Sequence, residues 1–177
     1  MERWALIDST PIVENRWLTV SRNTYTRQVD TVSDYFTIRR NAFVLIVASS
    51  DNSLLLVRQY RPATDRFYIA TPGGYIDAGE NPMQTAQREL LEETGATGNE
   101  WEPLGELHPL PGYVNSPAHI FACRITDTRG VAPQDPSEET EAIWIDHGKA
   151  FGMIQSGEIR EMQTVSALLL FKLKYDL

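Results

Sequence analysis

Four glutamates and one arginine between residues 74 and 95 have the types and spacing for metal-assisted chemistry. In the stretch GYIDAGENPMQTAQRELLEETG, Glu80 precedes Arg88 and the run of Glu89, Glu92 and Glu93. On a helix, positions three and four apart are neighbours, so the last three carboxylates share one side. Like charges at this spacing destabilise a bare helix by roughly 0.2–0.5 kcal/mol per pair. Because Mg²⁺ and Mn²⁺ prefer carboxylate oxygens, the pattern indicates a divalent metal site.

The same stretch contains the signals that begin and end a helix. Asn81 is a good N-cap, Pro82 suits the first helical position, and Gly95 suits the C-cap, which predicts a helix over 82–94. Its core-facing side would carry Met83, Ala86 and Leu90. Arg88 lies four residues before Glu92 and is therefore expected to hold that carboxylate in place.

An ordinary acidic, solvated helix face is the alternative interpretation of such a run. The Gly73-Gly74 pair, the separate Glu80 and the closing Gly95 favour the metal site, since they occur together with the run. The whole arrangement, G-x5-E-x7-R-E-L-x-E-E-x-G, resembles the signature of the Nudix hydrolases. Enzymes of that family cleave nucleoside diphosphates linked to another moiety.

Composition excludes several other classes of protein. The chain has 177 residues and a net charge of −8, without a basic patch, so we expect no nucleic-acid partner. The single cysteine, Cys123, excludes an intrachain disulfide and fits a small core residue in a strand. His108, His119 and His147 lack the spacing of a zinc site. The chain has no signal peptide or transmembrane run, which predicts a cytoplasmic protein without a membrane partner.

Hydrophobic patterning predicts an alternation of strands and helices around the acidic helix. A hairpin is expected over 17–40, with a polar turn at 28–33. Further strands are predicted at 42–48, 54–60, 67–71, 101–108, 119–125 and 140–145, and helices at 147–155 and 161–174. This order is typical of an α/β (α+β) protein with a mixed β-sheet sandwiched between helices. The resemblance implies the Nudix fold, with an N-terminal β extension (1–40) before the hydrolase domain (41–177).

Three segments outside the signature resemble the subgroup that hydrolyses ADP-ribose and nucleoside diphosphate sugars. They are the leader IVENRWLTVSRNTY (12–25), the strand LLLVRQYRPA (54–63) and the pair Pro111-Gly112. In that subgroup the extension forms a small sheet that joins two subunits. Each active site contains residues from both subunits. The resemblance therefore implies a homodimer and a small-molecule nucleotide sugar as substrate.

The resemblance also implies roles for individual residues. The metal, Mg²⁺ with Mn²⁺ as the alternative, would be held by Glu89, Glu93, Glu92, Glu80 and the Gly73 carbonyl. Arg61, Pro111 and Gly112 would contact the substrate, with the Arg61 guanidinium on the diphosphate. Trp17 and Tyr35 occupy positions where aromatic rings stack on the base. Both also fit a core or dimer-interface position.

The proton acceptor is expected in the loop DPSEETE (135–141). Members of the subgroup carry a glutamate there that helps to activate water, and Glu138 aligns best, with Glu139 and Glu141 as alternatives. The catalytic set is then Glu138, Glu92 and Arg88. An acidic run in a proline-rich loop is otherwise typical of a solvated surface.

The implied reaction is Mg²⁺-dependent cleavage of a nucleoside diphosphate sugar, ADP-ribose or GDP-mannose among them, to a nucleoside monophosphate and a sugar phosphate. Ser116 stands where the subgroup often has an acidic residue, and ATPGG (70–74) replaces its usual ELPAG. Both departures favour a broad range of sugars. One alternative is a Nudix hydrolase of dinucleoside polyphosphates or noncanonical nucleoside triphosphates. The other is an inactive nucleotide-sugar sensor, against which the intact glutamates argue.

Overall fold

The chain forms two compact units in a computed structural model, which describes residues 2–128 and 140–177. Unit 1 comprises the residues before Phe43 together with the segment His108–Pro117. Unit 2 comprises Phe43–Leu107 and Ala118–Leu177. Unit 1 thus takes in a segment far along the chain. The division at residue 40 into an extension and a hydrolase domain stays a prediction.

The described residues contain ten strands and three α-helices. The strands are β1 (Ala5–Glu14), β2 (Thr19–Arg27), β3 (Asp30–Arg39), β4 (Phe43–Ser50), β5 (Ser53–Arg61), β6 (Arg66–Ala70), β7 (Thr97–Leu107), β8 (Val114–Asn115), β9 (Ala118–Asp127) and β10 (Thr140–Asp146). The helices are α1 (Pro82–Thr94), α2 (His147–Ser156) and α3 (Met162–Tyr175). A 3₁₀ turn, Pro62–Thr64, follows β5.

Unit 1 is a four-stranded sheet in the order β1-β2-β3-β8. The first three strands pair antiparallel, and β8 joins β3 in parallel through Ile38↔Val114. The hairpin of β2 and β3 confirms the predicted one, but its turn is shorter than 28–33, since β3 begins at Asp30. Asp30, Thr31 and Val32 pair with β2, and an irregularity follows at residues 33–34, where Asp34 has a φ of 59°.

Strand β1 was not predicted from the sequence. All ten of its residues are exposed, so it lacks the alternation of apolar and polar positions that marks a half-buried strand. Its pairing with β2 along the whole length holds it in place.

Unit 2 is built around a six-stranded mixed sheet in the order β10-β5-β4-β9-β7, with β6 paired to β5. Strands β4 and β9 run parallel, and the other pairs are antiparallel. The central strand β4 buries both faces: Val44 and Ile46 point to one side, and Leu45 and Val47 to the other.

Helices cover both faces of this sheet. Helix α1 packs Ala86 and Leu90 on the Val44 side, with Met83 half-buried beside them. Helices α2 and α3 pack on the opposite side, where Ala150 and Leu168 are fully buried. The prediction of a mixed sheet sandwiched between helices, with an N-terminal β extension, is confirmed.

The signature helix begins and ends where its capping residues predicted. The Asn81 side chain accepts from the Gln84 amide at 3.0 Å, and the Gln84 side chain accepts from the Asn81 amide at 2.9 Å. Gly95 closes the helix in the left-handed region with a φ of 67°. Among the three helices within the described residues, none has the length and apolar content that crossing a membrane requires.

Two neighbouring leucines of α1 test this packing. Leu90 is fully buried under the sheet, whereas Leu91 is 39% exposed. Leu90→Ala should lower the free energy of unfolding by about 2–5 kcal/mol, because it removes buried methyl groups and leaves a cavity. Leu91→Ala should change it by about 0.5 kcal/mol or less. Urea denaturation of both variants measures the difference, and equal losses would contradict this packing of α1.

Candidate active site

The Arg88 guanidinium holds three carboxylates of the signature together in unit 2. Its Nε and Nη2 donate to the two oxygens of Glu80 at 2.9 and 3.0 Å, which is a bidentate pair. Its Nη1 donates to Glu89 Oε1 at 2.8 Å and to Glu92 Oε2 at 2.9 Å. The contact predicted between Arg88 and Glu92 is therefore present. The contact with Glu80, which lies before the helix, was not predicted.

The contacts between Arg88 and Glu80 shift the pKa values of both residues. The hydrogen bond from Arg88, with a second one from the Thr85 hydroxyl at 2.7 Å, lowers the pKa of Glu80 to about 2. The pKa of Arg88 is raised, mainly by its hydrogen bonds to Glu80. Glu80 and Arg88 thus stay charged across the ordinary pH range.

The fourth glutamate, Glu93, is held by the backbone. Its Oε2 accepts the Gly73 amide at 2.9 Å, and the residue is 8% exposed. The segment around Gly73 is itself fixed to β4, because the Ile46 amide donates to the Pro72 carbonyl and the Val44 amide to the Gly74 carbonyl, both at 2.9 Å. The segment after β6 and helix α1 therefore meet at Glu93.

The two glycines of this segment allow backbone and carboxylates to approach closely. A Cβ on Gly73 would lie 2.1 Å from the Val44 carbonyl oxygen, and one on Gly74 would lie 2.2 Å from Glu89 Oε1. The Val44 carbonyl is backbone and cannot move aside, so Gly73 is required by its contact with β4. A Cβ at position 74 would instead displace the Glu89 carboxylate.

The donor chemistry of the cluster fits a hard divalent cation. Glu89 and Glu93 are both nearly buried, and carboxylates in this position are the oxygens that Mg²⁺ and Mn²⁺ prefer. The Glu89 carboxylate lies directly against the Gly74 backbone, in the place that a Cβ at Gly74 would take. Within residues 2–128 and 140–177, no three acidic, histidine or cysteine side chains are at present arranged to hold an ion. Glu89 and Glu92 contact Arg88 instead.

Arg61, predicted to contact the diphosphate, lies at the end of β5. Its Nη2 is 3.9 Å from Glu161 Oε1, and the side chain is about half exposed. The neighbouring Arg58 forms an ion pair with Glu141 at 3.5 Å, as expected for a residue with a structural role. Arg61 is thus available at the surface of unit 2 and weakly held.

Unit 1 contains an aromatic cavity of about 480 Å³. Three residues predicted to contact the substrate line it together: Tyr35, Pro111 and Gly112. The Tyr35 hydroxyl donates to the Gly112 carbonyl at 2.5 Å, and its ring meets Tyr25 edge-on at 5.4 Å between centroids. This cavity is therefore walled by aromatic rings and closed by the Pro111-Gly112 loop.

Sequence reasoning missed three aromatic residues of the cavity, Trp4, Tyr25 and Tyr113. Trp4 directly precedes β1, the strand that was not predicted, so no pattern indicated its place. Trp17 does not line the cavity: it is 62% exposed, and the Arg16 guanidinium lies 4.4 Å from its ring. Its role in base stacking stays a prediction. The predicted base Glu138, with its alternative Glu139, lies outside the described residues.

Two residues singled out in the sequence, Ser116 and Cys123, have clear structural contexts. Ser116 is buried and donates its hydroxyl to the Asn41 carbonyl at 2.6 Å, so it braces the backbone within unit 1. Cys123 lies in the core of unit 2, where burial raises its pKa to about 12. The interpretation of Cys123 as a core residue is confirmed.

Comparison with known proteins assigns the family. A family model described as the NUDIX domain matches residues 37–165, nearly three quarters of the chain. The chain belongs to the Nudix family, whose hydrolases generally use a divalent metal ion. The chain is also similar to a crystal structure of an ADP compounds hydrolase, with a TM-score of 0.85 and 22% identity over 99% of this chain and 96% of that one. That likeness supports the fold.

Characterised relatives are hydrolases with different substrates in their names. A GDP-mannose pyrophosphatase of Salmonella paratyphi B is 33% identical over 72% of this chain and 70% of its own length. An ADP-ribose pyrophosphatase of Bacillus subtilis is 26% identical over 75% and 72%. A CMP-5'-(N-acetyl-N-hydroxy-3-aminopropyl)phosphonate hydrolase of Streptomyces rubellomurinus is 29% identical over 94% and 81%.

The lowered pKa of Glu80 predicts an acid-sensitive contribution to stability. Because the folded-state pKa is about 2, against an ordinary value of 4.5, the unfolded chain takes up this proton first as the pH falls. The contribution of Glu80 to stability is complete above pH 4.5 and is lost as the pH falls from 4.5 to about 2. Glu80→Gln should therefore show a flatter decline of melting temperature over this window than the wild type. Equal slopes would show that the Arg88 pair does not affect stability in this way.

Proposed function

We propose that the protein hydrolyses the diphosphate linkage of nucleoside diphosphate sugars, releasing a nucleoside monophosphate and a sugar phosphate. The observation that carries the proposal is the acidic cluster of unit 2. Arg88 binds Glu80, Glu89 and Glu92, and the Gly73 amide binds Glu93. Carboxylates gathered in this way beside a glycine-lined backbone suit a cation that carries a diphosphate.

The metal is proposed to be Mg²⁺, with Mn²⁺ as the alternative. Glu80, Glu89, Glu92 and Glu93 would hold it, together with the Gly73 carbonyl. When bound, such an ion neutralises diphosphate charge and lowers the pKa of a bound water. Arg88 would orient Glu89 and Glu92 for this role through its contacts with both, and its bidentate pair would hold Glu80.

The remaining chemistry falls to side chains of the chain itself. Arg88 orients the carboxylates, and Arg61, which has only a 3.9 Å contact to Glu161, can turn to bind the diphosphate. Glu138 is proposed to accept the proton of the attacking water, with Glu139 and Glu141 as alternatives. Glu141 is the one of the three within the described residues, and it pairs with Arg58.

The nucleoside end of the substrate is proposed to stack in the aromatic cavity of unit 1. Tyr25, Tyr35 and Trp4 offer flat apolar surfaces, and base stacking is tolerant of base identity. This tolerance agrees with relatives whose names include ADP, GDP and CMP compounds. The proposed substrates are therefore ADP-ribose and GDP-mannose first, with a CMP-linked phosphonate as a further candidate.

A homodimer through unit 1 is part of the proposal. Strand β1 exposes Leu6, Ile7, Ile12 and Val13 at about half of their surface each. Apolar side chains along an exposed strand are typical of a protein interface. A cytoplasmic location is proposed with it.

A substrate panel with a single-atom variant tests the proposed function. The wild type should hydrolyse ADP-ribose, GDP-mannose or the CMP-linked compound faster than diadenosine polyphosphates or nucleoside triphosphates. Glu93→Gln should lower kcat by about 100-fold or more, since losing even an outer partner of a ligand costs about 10–100-fold. Glu158→Gln, a surface change between α2 and α3, is the matched control.

The outcomes separate the alternatives. Preference for polyphosphates or triphosphates would support the other Nudix chemistry. Binding of a nucleotide sugar in the presence of Mg²⁺ without turnover would support the sensor. Normal turnover by Glu93→Gln at saturating Mg²⁺ would falsify the ligand assignment.

The base-stacking proposal is tested by two adjacent residues of β3. Tyr35 lines the cavity, whereas Phe36 points to the other face of the sheet and is 48% exposed. Tyr35→Leu should raise KM by about tenfold with little change in kcat, because stacking on one ring stabilises a bound base by about 1–3 kcal/mol. Phe36→Leu should leave KM near the wild-type value. Gel filtration of both variants must show the same oligomeric state, and equal KM values for the two would place the base elsewhere.

A further inference from the structure

The first turn of α3 is hydrogen-bonded to the segment that leads into the acidic cluster. The Thr164 hydroxyl accepts the Thr71 amide at 3.2 Å and donates to Glu161 Oε2 at 2.6 Å. Thr164 is fully buried and Thr71 is nearly so. No residue of α3 belongs to the signature, and none was predicted to have a functional role.

The donor and the acceptor of each of these hydrogen bonds follow from the groups involved. A hydroxyl has one hydrogen, and a carboxylate can only accept, so the Thr164 hydrogen points to Glu161 and a lone pair faces Thr71. The short bond to a charged acceptor is the stronger kind. Thr71 directly follows β6, so its amide lies beyond the last pair of that strand and takes Thr164 as its acceptor.

Gly73, two residues after Thr71, donates its amide to Glu93. The Pro72 carbonyl accepts from Ile46, and the Gly73 amide donates to Glu93 Oε2 at 2.9 Å. The segment 71–74 is thus held by β4 on one side and by α3 on the other. Because a Cβ on Gly73 would already overlap the Val44 carbonyl, the segment cannot shift towards β4.

The Glu161 carboxylate, which accepts from Thr164, also contacts Arg61, the residue proposed to bind the diphosphate. Glu161 Oε1 lies 3.9 Å from Arg61 Nη2, while its other oxygen accepts from Thr164. Glu161 is largely buried, with 20% of its side chain exposed. The N-cap residue of α3, Glu161, therefore joins the proposed substrate contact to Thr164, which holds the backbone that leads to Glu93.

We infer that Glu161 and Thr164 are positioning residues that set the affinity of the acidic cluster for a divalent cation by fixing the segment 71–74 against Glu93. The inference rests on the proposed function, since it assumes that Glu93 is a metal ligand. A purely structural role would lower stability and leave the metal affinity of the folded protein unchanged.

The test is a calorimetric titration of the full-length protein with Mn²⁺ in the absence of substrate. Thr164→Val keeps the shape of the side chain and removes the hydroxyl, and should weaken Mn²⁺ binding by about tenfold, the lower end of the effect of partners of metal ligands. Thr164→Ser restores the hydroxyl and should bind within about twofold of the wild type. Ile159→Val, a buried change before α3 without a hydrogen-bonding side chain, controls for lost stability and should bind normally.

A second pair keeps the inference testable if Thr164→Val does not fold. Glu161→Ala removes the acceptor and should weaken Mn²⁺ binding several-fold. Glu161→Gln keeps an oxygen that can accept from Thr164, and its affinity for Mn²⁺ should lie within about twofold of the wild type. Its KM for nucleotide sugar should change, because the charge that contacts Arg61 is lost.

Glu93→Gln separates the proposed metal site from the positioning role of Glu161 and Thr164. If Glu93→Gln leaves Mn²⁺ affinity intact, the proposed metal site is wrong and the inference fails with it. If Glu93→Gln weakens binding but folded Thr164→Val and Glu161→Ala bind like the wild type, the proposed function stands and the positioning role is overturned.

Discussion

The arrangement of unit 2 depends on one guanidinium placed among like charges. Without Arg88, the carboxylates of Glu80, Glu89 and Glu92 would repel one another on neighbouring positions. With it, each carboxylate accepts a charge-assisted hydrogen bond of 2.8–3.0 Å. The bidentate contact to Glu80 also ties the residue before α1 to the middle of the helix. The guanidinium therefore brings the three carboxylates together.

This electrostatic arrangement is possible because α1 is fixed independently of it. Leu90 and Ala86 bury the opposite face of the helix on the sheet, and the capping box satisfies its first turn. Hydrophobic burial thus supplies the stability that a concentration of negative charge removes. The backbone of the segment 71–74 then meets the helix through Gly73, where a hydrogen bond replaces side-chain packing. Rigid support on two sides is what a site for a small, hard ion requires.

The sequence predicted those parts of the structure that depend on local interactions. Helix α1 was predicted over its observed bounds, because Asn81, Pro82 and Gly95 act within one turn of themselves. The contact of Arg88 with Glu92 followed from helical spacing, whereas its contact with Glu80 depends on the path of the chain before the helix. Strand β1 and the cavity aromatic Trp4 escaped prediction, because pairing with β2 rather than burial defines that strand. The hydrogen bond from the Thr71 amide to the Thr164 hydroxyl joins residues 93 positions apart, and no local pattern indicates it.

The two units divide the molecule by kind of chemistry. Unit 2 contains charged and dipolar groups: carboxylates, a guanidinium and backbone amides. These groups interact with phosphate and do not discriminate among the groups attached to it. Unit 1 presents aromatic rings and a bracing serine, Ser116, whose hydroxyl is already engaged with the Asn41 carbonyl. Rings recognise flat apolar surfaces and discriminate weakly among bases. Hydrogen-bonding groups that fit one substrate discriminate strongly, because a poorer substrate leaves them unpaired. A chain that lacks a carboxylate at Ser116 and relies on rings should therefore gain breadth of substrates at the expense of selectivity.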